Sequence, residues 1–180
     1  YSRQFPRSFI WFSILFLSIN LIQAIFTEPA NDEAYYWKFA QALDWGYFDH
    51  PPIIALMIAA FSSFIKGTLG IRLMSVIFGF ASVYLLWLLI DDELKKAKSA
   101  VSLYFLLWFS FPVFNIYTFI TVPDSPLIFF SLMYLLILRN LKNKPTFLNG
   151  LFLGLTAALL LYSKYHGVIL IIISIAADFR

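Results

Sequence analysis

The sequence predicts an all-α polytopic membrane protein, with about six transmembrane helices and one or two interfacial helices in the first outer loop. Composition is the first observation behind this. Hydrophobic residues make up 61% of the 180 and charged residues only 13%, against about 25% charged in soluble domains. The second is the mean hydropathy of +0.81. The third is the layout: apolar runs close to the roughly 20 residues that cross about 30 Å of hydrocarbon alternate with short polar joints.

The expected spans are 9–26, 71–90, 100–122, 125–141, 147–162 and a shorter run at 166–179. A further apolar run, Ile53–Ile65, is 13 residues long. As a helix it reaches only ~20 Å at about 1.5 Å per residue, which suits an interfacial or re-entrant helix. Pro51-Pro52 starts it and Gly67 ends it. The outer loop 27–70 is therefore long and structured. Asn31 or Asp32 can cap a short helix running to Leu43. Tyr35, Tyr36, Trp37, Phe39 and Trp45 along it suit the headgroup zone. Pro112 with Asn115 is expected to kink the third span. Gly150 and Gly154 form a small-xxx-small face for close helix packing.

Lys and Arg in short loops favour the cytoplasm, which orients the chain. With the amino end inside, the inner loops collect Arg3, Arg7, Lys95, Lys96, Lys98, Arg139, Lys142, Lys144 and Arg180. Lys38, Lys66, Arg72 and Lys164 fall outside. Making Ile53–Ile65 a full span weakens this bias and puts Asp32 and Asp124 on opposite faces. In the six-span reading Asp32, Glu33, Asp49, His50, Asp124, Lys164 and His166 all face the non-cytoplasmic side. The net charge of +3 is split among short loops with no contiguous basic face, so nucleic acid is not an expected partner. Without cysteine there is no disulfide framework, thiolate nucleophile or cysteine-zinc site. The start at Tyr1 and the stop just after an apolar run suggest a piece of a longer protein, and these 180 residues alone are expected to be inactive.

Polar residues at the outer rim carry the candidate chemistry, and each has a plain alternative. Asp32-Glu33 follows the first span and reads either as a solvated capping pair or as surface carboxylates that do chemistry. Asp124, in Pro-Asp-Ser-Pro, reads as a helix N-cap with proline in the first turn, as a chemical group, or as both. Lys164 snorkels to headgroups or binds a ligand phosphate. Arg72 anchors the second span or joins Lys164 and His50 in neutralising a phosphate. His50 as a metal ligand is the minor reading, since one histidine with scattered carboxylates is no ligand-spacing signature. Together the groups have a chemical logic. One carboxylate acts as general base on an acceptor hydroxyl while nearby cations neutralise a departing phosphate. A phosphate leaves without a separate general acid, so a second carboxylate is free to position the acceptor or a cation.

Five strings carry a resemblance: Asn31-Asp32-Glu33-Ala34-Tyr35-Tyr36-Trp37, Gly46-Tyr47-Phe48-Asp49-His50-Pro51-Pro52, Gly70-Ile71-Arg72-Leu73, Pro123-Asp124-Ser125-Pro126 and Ser163-Lys164-Tyr165. In order and spacing they resemble the GT-C membrane glycosyltransferases. More narrowly, they resemble the protein O-mannosyltransferase-like group that includes the bacterial lipid A aminoarabinose transferases. The resemblance implies an extracytoplasmic active site in a bacterial inner membrane and a sugar donor on polyprenyl phosphate, expected to be undecaprenyl. It also implies an inverting single displacement onto a hydroxyl of lipid, protein or glycan. Asp32 matches the loop aspartate taken as catalytic, Glu33 completes its pair, and Asp124 matches the acid of the second outer loop. Lys164 matches the cation near the donor phosphate, and His50 stands where some relatives carry lysine. No cofactor is expected and no metal ligands are assigned, with a divalent ion left open. A transporter or lipid flippase is the alternative. It is disfavoured because the middles of the spans carry only uncharged polar residues such as Asn20 and Asn115.

Overall fold

The computed structural model describes residues 5–178. Arg3 and Arg180 of the charge bias, and the last residue of the expected sixth span, lie outside the described residues. Among those residues there is no strand. The helices are α1 (Arg7–Phe26), α2 (Asn31–Gln41), α3 (Ile53–Ser62), α4 (Thr68–Leu89), α5 (Asp92–Lys95), α6 (Ala100–Ser110), α7 (Pro112–Ile116), α8 (Asp124–Asn143), α9 (Phe147–Ser163) and α10 (Gly167–Asp178). Among the described residues α1, α4 and α8 are long and apolar enough to cross a membrane. α3, α6, α9 and α10 are apolar but shorter. α9, at 17 residues, reaches about 26 Å at the helical rise.

α4 is the centre of the bundle, packed by α1, α3 and α8, while α9 lies along α8. At one end, Phe9 and Phe16 of α1 pack with Val83 and Trp87 of α4 and Tyr104, Phe105 and Trp108 of α6. Arg139 of α8 closes this end by donating to the Leu88 and Leu89 carbonyls, which the C-terminus of α4 would otherwise leave free. At the other end, Tyr36 of α2, Ile54 and Ile58 of α3 and Val122 form a second apolar cluster. The loop helices are thereby docked on the bundle rather than loose above it. Outside these clusters large apolar side chains such as Trp11, Ile22, Leu106 and Ile172 stay exposed, as lipid-facing residues do in a membrane span.

Several local expectations change. The stretch 100–122 is not one kinked helix. α6 stops at Ser110, Phe111 takes an extended conformation, and α7 restarts with Pro112 in its first turn. Proline disfavours helical geometry in the residue before it and suits a helix start. Residues 117–123 then run without regular helix into α8. α2 begins at Asn31, one residue earlier than an Asn31 cap would place it, with Ala30 as its N-cap. Asp124 is the first residue of α8 and makes no capping hydrogen bond. Gly150 and Gly154 look into open space, because α9 buries Thr156, Leu160 and Ser163 instead.

Three glycines elsewhere, Gly70, Gly79 and Gly167, do permit close approach. A Cβ on Gly70 would lie 1.8 Å from the Ile65 carbonyl oxygen, where the end of α3 turns onto α4. One on Gly79 would lie 2.4 Å from Thr118 Cβ and 2.9 Å from its Cα. Gly79→Ala is therefore expected to lower stability by about 1–3 kcal/mol, the usual cost of overpacking. Gly154→Ala should be silent. Thermal unfolding of the two variants side by side in detergent checks this.

Candidate active site

Asp32 and Glu33 are neighbours in the first turn of α2, where the helix dipole favours acids. Successive helical positions point about 100° apart, and the two side chains part company. Glu33 is fully buried and Arg72 of α4 is 1% exposed. Arg72 donates from Nε to Glu33 Oε1 at 2.8 Å and from Nη2 to Oε2 at 2.6 Å, a two-point pairing. The backbone N–H of Thr121 donates to Oε1 and that of Ala30 to Oε2, each at 2.9 Å. Arg72 also serves the carbonyls of Gln23, Thr27 and Glu28 and the Thr27 hydroxyl. Glu33 and Arg72 were expected to act on substrate. Here their polar atoms are engaged with one another, with the Thr27 hydroxyl and with the backbone. Their contacts are long-range, 39 and 88 residues apart in sequence.

Asp32 remains exposed on the other side of the same turn. One face of α2 carries Glu33 and, three residues on, Tyr36, both buried. Tyr36 was expected among headgroups. Instead its hydroxyl lies 3.2 Å from His50 Nε2, and its ring packs edge-on against the His50 ring. Burial, together with the charges of Asp32, Asp49 and Asp124, pushes the Tyr36 hydroxyl up to about 12. It therefore stays a neutral phenol at physiological pH. This also places Asp32 and Asp124, distant in sequence, within electrostatic reach of the same hydroxyl. His50 Nδ1 lies 3.0 Å from Asp49 Oδ1. The neighbouring His50 and the Tyr35 hydroxyl, which donates to Asp49 at 3.1 Å, hold the Asp49 carboxyl below the usual carboxylate range.

Asp124 and Lys164 meet across α8 and the end of α9. Lys164 Nζ lies 2.8 and 2.9 Å from the two Asp124 oxygens. Both side chains are about one quarter exposed, so the pair is reachable from outside. An open groove of about 570 Å³ lies nearby, lined by Leu43, Trp45, Ile53, Leu56, Leu159 and Tyr162 among others. It is mostly apolar, with Asp44 also in its wall. Tyr162 stands two residues before Lys164 and Pro52, another lining residue, two after His50. His166, a further outer-loop residue, is exposed. Among the described residues no three acidic or histidine side chains are arranged to hold a metal ion.

Sequence reasoning missed Thr121 and the part played by Tyr36. A signal existed for Tyr36, since its spacing from Glu33 puts the two on one face. None existed for Thr121, which contributes only a backbone N–H.

Fold and site together define an integral membrane protein with an ionisable cluster at one end of its helix bundle. Residues 49–179 match the family model described as dolichyl-phosphate-mannose-protein mannosyltransferase, which spans well over half of the chain. The chain belongs to this family, of GT-C type, and is thus a membrane glycosyltransferase that draws on a polyprenyl-phosphate-linked sugar. The match includes His50, Arg72, Asp124 and Lys164, while Asp32 and Glu33 precede it. No curated protein and no solved structure matches the chain.

Proposed function

We propose that the protein transfers a sugar from polyprenyl phosphate to a hydroxyl on the extracytoplasmic face of a bacterial inner membrane, with Asp32 as general base. The acceptor oxygen attacks the anomeric carbon as the carbon–oxygen bond to the phosphate breaks. The bonding pair leaves with polyprenyl phosphate, the hydroxyl proton passes to Asp32, and the configuration at the anomeric carbon inverts. The acceptor is a lipid, protein or glycan hydroxyl of the cell envelope.

The observation that supports this reading is the exposed Asp32 on the helix whose Tyr36 hydroxyl meets His50, with Lys164 held on Asp124 and the charges of both acids felt at that hydroxyl. Asp32 is the member of the set that is an acid, exposed and without a cation on it, as a base awaiting substrate should be. Lys164 and His50 receive the donor phosphate, with the isoprenoid tail in the adjoining apolar groove. Asp124 holds the Lys164 ammonium until phosphate takes its place, and then helps to orient the acceptor. The Lys164 ammonium neutralises the leaving phosphate, with His50 beside it as a hydrogen-bond partner.

Lys164→Met should raise the KM for donor by roughly 10- to 100-fold, the equivalent of one charged hydrogen bond of about 1.5–3 kcal/mol, with a smaller effect on acceptor KM. Initial rates against donor concentration check this. The function itself is tested by offering the purified intact protein a panel of polyprenyl-phosphate sugars with an envelope extract. Free polyprenyl phosphate together with a new glycosylated product supports transfer. Relocation of the intact donor across a vesicle membrane without bond cleavage means a lipid flippase instead.

A further inference from the structure

We infer that Glu33 and Arg72 form a positioning clamp that sets the distance between Asp32 and Asp124, and that neither touches substrate. The inference rests on the reading of Asp32 as base. It follows from what the Glu33 carboxylate holds. An ionised carboxylate has about four acceptor sites, and here all four are filled. Two go to Arg72 on α4, one to the N–H of Ala30 at the entry to α2, and one to the N–H of Thr121 in the irregular stretch before α8. Ala30 lies two residues before Asp32 and Thr121 three before Asp124. One side chain thus joins the two segments that carry the exposed acids and ties both to the central helix.

The remaining contacts extend the same join. Arg72 fixes the end of α1 and the turn after it through the Gln23, Thr27 and Glu28 carbonyls. The Thr121 hydroxyl donates to the Ile71 carbonyl at 3.0 Å and lies 2.8 Å from the Ser75 hydroxyl. Segment 117–123 has no regular helix of its own to hold it, so its register against α4 depends on these contacts. A buried ion pair gains little net stability over apolar packing, because desolvation offsets the attraction. Its directional bonds do fix geometry. That matters where a misplacement of about 1 Å costs on the order of 10²-fold in rate.

Glu33→Gln is the test, made in the intact protein. It keeps the side-chain shape but turns one acceptor into a donor facing N–H groups. The expected result is a kcat lower by on the order of 10²-fold with donor KM little changed. In an Asp32→Asn background, Glu33→Gln should cause no further loss, since there is no base left to position. Multiplying losses would overturn the inference. A physical readout runs beside the kinetics. The chain has no cysteine, so spin labels can be placed through Lys38→Cys on α2 and Ile116→Cys on α7, both exposed. Their distance distribution should be narrow in the parent and broad with Glu33→Gln, and an unchanged distribution overturns the clamp. Should Glu33→Gln fail to fold, Glu33→Gln/Arg72→Met leaves no buried charge unpaired and takes the same measurements. Full activity of Asp32→Asn would sink the base assignment alone, and the label distances then decide the clamp.

Discussion

Arg72→Met is expected to be the most damaging single substitution in the chain, costing about 3–5 kcal/mol, the usual penalty for breaking a buried ion pair from one side. The Glu33 carboxylate would stay buried with only the N–H groups of Ala30 and Thr121 to satisfy it. The carbonyls of Gln23, Thr27 and Glu28 would each lose a donor. Arg72→Lys should rescue little. A single ammonium cannot span both Glu33 oxygens and three carbonyls as the guanidinium fork does. Adding Glu33→Gln to Arg72→Met should recover part of the loss, because the stranded charge is then gone. Yield and midpoint of thermal unfolding in detergent measure all three. A destabilisation by Arg72→Met no larger than that of Gly79→Ala would contradict the view of this pair as the tie between α1, α2, α4 and the start of α8.

Asp32→Asn is expected to lower kcat by on the order of 10²–10⁴-fold, the typical contribution of a positioned general base, while leaving folding intact. Asp32 is exposed in the first turn of α2. Asparagine there keeps the size and tolerates a helix start, so stability should move by only a few tenths of a kcal/mol. Asparagine cannot take the acceptor proton, however. Asp124→Asn should behave differently, since it frees Lys164 from its two short contacts. Polyprenyl phosphate should then bind more tightly even as turnover falls. Opposite effects on product binding separate the two acids, which a role in simple electrostatic attraction for either would not produce.

Much of the fold was legible because it is set by local composition. The long apolar runs became α1, α4 and α8, and Pro51-Pro52 starts α3 as its chemistry predicts, whereas α3 ends at Ser62, short of the expected Ile65, and Gly67 instead caps the start of α4. Pro112 was legible as a break, but its severity was not. Whether proline kinks a helix or ends it depends on the partners available to the freed backbone groups, which are tertiary. The site was legible at the level of residue types. Its division of labour was not. Asp32 and Glu33 are adjacent identical charges in sequence, and only the rotation of α2 as it docks on the bundle beside α3 sends one inward and the other outward. Arg72 carried a usable hint. Its helix buries Gly70, Ser75, Val76 and Gly79, and an arginine on such a face of an apolar helix calls for a buried anionic partner. The sequence offered several acids for that role, and Glu33 was fixed only by long-range packing. Likewise the headgroup aromatics were half right: Trp45 is largely exposed while Tyr36 is buried beneath His50.

The central claim is that this cluster performs base-assisted sugar transfer from a lipid phosphate. Its most direct test is the stoichiometry of polyprenyl phosphate released to sugar transferred, measured for the wild-type protein beside Asp32→Asn of equal thermal stability. One release per transfer in the wild type, with both lost together in Asp32→Asn, is the predicted result. Equal release and transfer by the two proteins would contradict it.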